Sequence, residues 1–93
     1  MFNSKIKVTN QVGLHARPAS KFVQTANMFA SEITVQNVTV GGDLVDAKSI
    51  LMVLTLGVLQ NHEILIQAQG SDAETAVHDL TNLVQNNFAE AEN

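Results

Sequence analysis

Lys5-Ile6-Lys7-Val8-Thr9-Asn10-Gln11-Val12-Gly13-Leu14-His15-Ala16-Arg17-Pro18-Ala19-Ser20-Lys21-Phe22-Val23-Gln24-Thr25-Ala26 changes its hydrophobic period partway along, and that change decides the fold class. Residues 5–9 alternate polar and apolar, the pattern of a half-buried strand. Asn10 to Gly13 reads as a turn. Beyond Pro18 the apolar residues Ala19, Phe22, Val23 and Ala26 fall at i, i+3, i+4 and i+7, one face of a helix. Proline is tolerated in a first helical turn because the amide it lacks would have had no intrahelical acceptor. The helix therefore begins very near Arg17, with His15 just ahead of it.

Working outward, Glu32 to Gln36 predicts a second strand with Ile33 and Val35 on one face, extendable through Val38 and Val40. Gly41-Gly42-Asp43 is a hairpin signal, since glycine reaches positive φ without steric cost. Leu44 to Asp46 returns as a third strand. Ile50-Leu51-Met52-Val53-Leu54 also suits a buried strand, but Ser49 before it and Gly57 after it favour a short helix with an N-cap and a C′ residue. Glu63 to Ala68 alternates again, with Ile64, Ile66 and Ala68 inward. Ser71-Asp72-Ala73-Glu74 reads as a capping box opening a last helix, whose apolar stripe is Ala73, Ala76, Val77, Leu80, Leu83 and Val84. The tail after Phe88 is small and acidic and is expected to fray. The order is β-α-β-β-α-β-α, an α+β fold. Amphipathic helices and half-buried strands must cover one another, so one sheet with the helices on one face is expected.

Ninety-three residues suffice for one core, so residues 1–93 read as a single domain. The chain has four Phe and neither Trp nor Tyr, so its core is aliphatic and it lacks stacking platforms for single-stranded nucleic acid. Its formal net charge is −4, with no Lys or Arg after Lys48, so no basic face suited to a duplex is available. The cations cluster in the first half, two of them near His15, which suits an acidic protein partner better than DNA. There is no cysteine, which excludes disulfides, thiol catalysis and zinc–thiolate sites. No stretch approaches the roughly 20 apolar residues needed to span a bilayer, and no signal-like N-terminus is visible, so a cytoplasmic protein without direct membrane insertion is expected.

The segment that carries chemistry is Gly13-Leu14-His15-Ala16-Arg17-Pro18-Ala19. A helix N-terminus offers unsatisfied amides and partial positive charge, a ready anion site. It also disfavours an imidazolium, leaving more neutral, nucleophilic ring. Arg17 adds a fork-shaped cation suited to phosphate oxygens. On spacing alone such a histidine is more often a cap or surface residue than a nucleophile. Phosphoryl transfer nevertheless needs mainly positioning and charge neutralisation, which these few residues can supply.

The heptapeptide resembles the active-site segment of HPr-type phosphocarriers of the bacterial phosphoenolpyruvate-dependent phosphotransferase system. The resemblance continues in register through Phe22-Val23, Phe29, Ser31 to Val35, Lys48-Ser49-Ile50 and Leu56-Gly57, essentially the whole chain. It implies an open-faced β-sandwich of four antiparallel strands with three helices on one side. It further implies that His15 is phosphorylated at Nδ1 by an enzyme I and donates to EIIA domains of sugar permeases. Arg17 would contact the phosphoryl group, with the Ala16 and Arg17 amides nearby. Ser49 matches a position phosphorylated in many members by an HPr kinase/phosphorylase, which can bring in a transcriptional regulator. Ile50, Leu51 and Leu54 would form part of the apolar docking surface beside His15. A monomeric carrier without turnover of its own, and without a cofactor, is implied.

The chain departs from the family in three places. The hairpin between Val35 and Lys48 is about three residues longer than usual. Met52 stands where relatives often have a small or charged residue, making the partner surface more apolar. Gln24 and Asn27 replace basic residues of some relatives, thinning the positive rim. Elsewhere His62 reads as a strand-entry residue, His78 as the polar flank of the last helix, and Asp43 and Asp46 as turn and loop residues. Three scattered histidines carry no paired ligand spacing, so no metal site is expected. Two further readings compete: a nitrogen-branch regulatory paralogue, and a Ser49-phosphorylated interaction protein of carbon catabolite control. Lys48-Ser49-Ile50 and Thr55-Leu56-Gly57 look more like the sugar branch, and relatives specialised for the second role lack the histidine.

Overall fold

A computed structural model describes residues 1–88. The order is β1 (Phe2–Lys7), α1 (Ala16–Ala26), β2 (Glu32–Asn37), β3 (Val45–Asp46), α2 (Ile50–Leu54), β4 (Glu63–Gln69) and α3 (Ala73–Gln85). The strands form one antiparallel sheet in the order β1-β4-β2-β3. Register places Ile6 and Asn37 on either side of Ile64, Val35 beside Ile66 and Ile33 beside Ala68, and all of these face the core. Lys5, Leu65 and Gln36 line up across the opposite, open face, as the strict two-residue alternation requires.

The helices cover the other face. α3 lies against β1 and β4, while α1 packs between α3 and α2. The α1 stripe read from the sequence is buried, with Ala19, Phe22 and Ala26 fully so. Complete burial of an aromatic such as Phe22 stabilises by about 1.5–3 kcal/mol. Phe88 closes the core behind α3, its amide donating to Leu83 O at 2.9 Å. No helix among the described residues is long and apolar enough to cross a membrane.

Several sequence expectations need correction. β1 begins at Phe2 and stops at Lys7, so Thr9 lies outside it. β2 ends at Asn37 and does not reach Val38 or Val40. The cause is Asn37 itself: its buried Oδ1 accepts the amides of Thr39 at 3.1 Å and Val40 at 3.4 Å, turning the chain. β3 is only Val45–Asp46, with Leu44 outside it.

The Ser71/Glu74 capping box does not form. Asp72 is the N-cap residue of α3, and its side chain makes no cap hydrogen bond. Its carboxylate instead accepts from Ala30 N at 2.9 Å, Ser31 N at 3.0 Å and the Ser31 hydroxyl. It therefore clamps the α1–β2 connection to the start of α3, and these bonds hold its carboxyl below the ordinary value of 3.8. The expected fraying after Phe88 concerns residues 89–93, outside those described.

Candidate functional site at the start of α1

His15 is the N-cap residue of α1, with extended backbone (φ −84°, ψ −172°) and no capping hydrogen bond from its side chain. The imidazole is exposed and not engaged in holding its own helix. Its carbonyl accepts the first i→i−4 bond, from Ala19 N at 2.7 Å. The amides of Ala16 and Arg17 precede that bond, and Pro18 has none. The ring thus stands at the partial positive end of an eleven-residue helix.

What holds His15 there is the segment before it. Gly13 has φ +64°, and its backbone approaches Val58 so closely that no side chain fits. Leu14 N donates to Val58 O at 3.1 Å, and the Leu14 side chain is buried. Asn10, also buried, closes the turn by donating Nδ2 to Gly13 O at 2.8 Å, while Gly13 N donates to Asn10 O.

The opposing wall is equally fixed. His62 Nδ1 accepts from Leu59 N at 3.2 Å and pairs with Asn37 Nδ2 at 3.1 Å, which also reaches Leu56 O. Nδ1 of His62 therefore acts as an acceptor for the Leu59 amide. These bonds tie the α2–β4 connection down where it borders His15. The result is a shallow hollow of about 160 Å³ lined by Leu14, His15, Leu54, Gly57, Val58 and Leu59.

Of the residues singled out from the sequence, the structure brings His15 and Leu54 into one hollow. Ile50 lies one turn from Leu54 on α2, and Leu51 is 75% exposed between them. Arg17 lines a different hollow, with Thr9, Gln11, Val12 and Asn87 on the other flank of the α1 start.

Ser49 is the N-cap of α2, its Oγ accepting Met52 N at 3.3 Å. It sits at the far end of α2 from Leu54, beside the C-terminus of α1, where Asn27 Nδ2 donates to Lys48 O at 3.2 Å. Sequence reasoning missed Val58 and Leu59 as walls of the His15 hollow and Asn37 and His62 as their supports. The glycine at position 13 was the one available signal. His78 is exposed and pairs with Asn82; Asp46 ends β3 and accepts Lys48 N. Among the described residues no three His, Asp or Glu side chains gather as metal ligands.

Chemically, the site presents an accessible imidazole next to helix amides, with a guanidinium two residues on, framed by exposed apolar side chains. Comparison with known proteins agrees with that picture. The family model described as "PTS HPr component phosphorylation site" matches residues 2–86. The phosphocarrier protein HPr of Buchnera aphidicola subsp. Baizongia pistaciae is 45% identical over 80 residues, covering 86% of this chain and 91% of that protein. The multiphosphoryl transfer protein of Haemophilus influenzae is 39% identical over 83 residues, 89% of this chain; the chain spans only 17% of that protein's length. A solved structure of HPr-C-His from Thermoanaerobacter tengcongensis superposes with a TM-score of 0.90 at 40% identity, covering 96% of this chain and 97% of that one.

Proposed function

Because the chain belongs to the HPr family of the phosphotransferase system, we propose that it is a phosphocarrier whose His15 accepts a phosphoryl group from a phosphorylated enzyme I and donates it to EIIA domains of sugar permeases. The observation that carries this reading is the exposed His15 ring at the N-cap of α1, free of any capping bond. In the neutral tautomer with the proton on Nε2, the Nδ1 lone pair attacks phosphorus while the donor's N–P bond breaks. Negative charge on the equatorial oxygens then faces the Ala16 and Arg17 amides and the Arg17 guanidinium. The chain supplies position and charge and is itself regenerated by the next acceptor, so it has no turnover of its own.

Ser49 would be the regulatory phosphorylation site for an HPr kinase/phosphorylase, and Ile50, Leu51 and Leu54 the apolar part of the partner surface. All three are exposed on a face that no element among the described residues covers. The protein would act in the cytoplasm as a monomer. The test is incubation with phosphoenolpyruvate and an enzyme I. An acid-labile phosphate is expected on His15, lost in His15→Ala with the melting temperature retained. Equal labelling of that variant, or label on His62 or His78, would falsify the assignment.

A further inference from the structure

One flank of α2 borders His15 and the other carries a second hollow. Val40 and Leu44, from the long β2–β3 connection, face Met52 of α2 and Leu56 just beyond it around about 410 Å³. Val40 is 61%, Leu44 47% and Met52 42% exposed, an unusual amount of aliphatic surface for one short loop and one helix turn. We propose that this hollow is a second contact for a phosphoryl-transfer partner docked over His15, receiving an apolar side chain that the partner carries next to a Lys or Arg. The proposal rests on the carrier reading and adds to it a place where partners are distinguished.

Three observations lead there. The first is continuity. Leu54 lines the His15 hollow and Met52 the second one, with Leu51 on the ridge between. A helix with its side chains is about 10–12 Å across. A standard interface covers about 800 Å² per partner, so a protein seated on Leu51 and Leu54 reaches the far flank without rearrangement.

The second is preorganisation. Asn37 is fully buried and holds both sides of the hollow at once. Its Oδ1 accepts Thr39 N and Val40 N, its carbonyl accepts Gly41 N and Gly42 N, and its Nδ2 donates to Leu56 O. Gln36 Nε2 adds a bond to Gly42 O at 2.6 Å, and Glu63 N one to Thr39 Oγ1 at 2.7 Å. Little loop entropy remains to be lost when a partner binds.

The third is charge. Asp43 borders the hollow. Lys48, the next cation along the chain, points its Nζ to Phe29 O at 2.7 Å. The His15 end instead carries Arg17 and Lys21. The docking face is thus positive at one end and negative at the other, which admits a partner in one orientation. A partner built for the positive end alone gains nothing from the hairpin, so the hollow separates partners by affinity without touching the reacting atoms.

The test uses the full chain with an enzyme I and an EIIA protein from the same bacterium. Val40→Ser/Leu44→Ser should raise KM for at least one of them by about three- to tenfold, the scale of losing an interface contact of moderate weight. Labelling of His15 at saturating partner and the melting temperature should not change, because both side chains are exposed. Asp43→Lys should raise the same KM, and the rise should shrink at high salt. In the nitrogen-15-labelled chain the amides of residues 40–45 should shift on adding that partner. Unchanged KM for both partners, or shifts confined to residues 12–17 and 50–59, overturns the proposal. Absence of label on His15 in the parent chain defeats the carrier reading instead, and the amide shifts still decide whether the hollow is a contact.

Discussion

Gly13 and Val58 approach so closely that a Cβ on Gly13 would lie 2.2 Å from the Val58 carbonyl oxygen. The same oxygen accepts the Leu14 amide, so the residue before His15 is held by a bond that exists only because position 13 has no side chain. Gly13→Ala must both adopt φ near +64° and push the 58–59 backbone away. It should cost more than about 1 kcal/mol, read as a lower denaturant midpoint, and it should also slow labelling of His15. A wild-type midpoint with wild-type labelling would show that the 57–59 connection yields freely.

Arg17→Ala should slow phosphoryl transfer without abolishing it, because the helix amides remain. Losing one hydrogen bond to a charged group costs about 1.5–3 kcal/mol, a rate loss on the order of ten- to a hundredfold. Arg17 and His15 line different hollows, so the loss should appear in the rate at saturating donor more than in KM. Rapid single-turnover transfer measures this, and an unchanged rate would mean that the guanidinium does not reach the phosphoryl group.

Ser49 lies at the far end of α2 from Leu54, a span of about 7–8 Å for five residues. A phosphate there meets the α2 amides and the positive end of the dipole, so the helix tolerates about −1.5 to −2 of charge. A partner covering Ile50 and Leu51 must desolvate that charge. Phosphorylation of Ser49 should therefore raise the KM for enzyme I with the melting temperature nearly constant, and Ser49→Asp should do so more weakly. Equal charging of the serine-phosphorylated and unmodified forms would leave Ser49 as an N-cap only.

Asp72 has its carboxyl held below 3.8 by bonds from the Ser31 hydroxyl and the Ala30 and Ser31 amides. The folded value is the lower one, so the clamp contributes its full stability above pH 3.8 and loses it as pH falls through the depressed value. Melting temperature should drop more steeply below pH 3.8 in the parent than in Asp72→Asn, which cannot ionise. Parallel pH profiles for the two proteins would place the acid sensitivity elsewhere.

Element order was legible because it is local. The shift from a two-residue to a helical period around Pro18, and the serine and glycine around residues 50–54, are settled by contacts within a few residues of chain. Where local signals misled, a distant group had claimed the side chain. Asp72 looked like part of a capping box, but Ala30 and Ser31, some forty residues earlier, offered its carboxylate three donors. Val38 and Val40 looked like strand, but Asn37 found better use for its acceptor in ending β2.

By itself, then, the amino-acid order determined that an α+β chain would be built from these seven elements, with His15 directly ahead of α1 and Ser49 at the head of α2. Periodicity and capping need no knowledge of what lies across the molecule. Only the tertiary structure decided that β4 runs between β1 and β2, that Leu54, Val58 and Leu59 wall His15, and that Arg17 opens into a neighbouring hollow. It also decided that Val40 and Leu44 meet Met52 across α2. These relations depend on which buried polar groups find partners once the sheet closes against the helices, and sequence spacing carries no record of that.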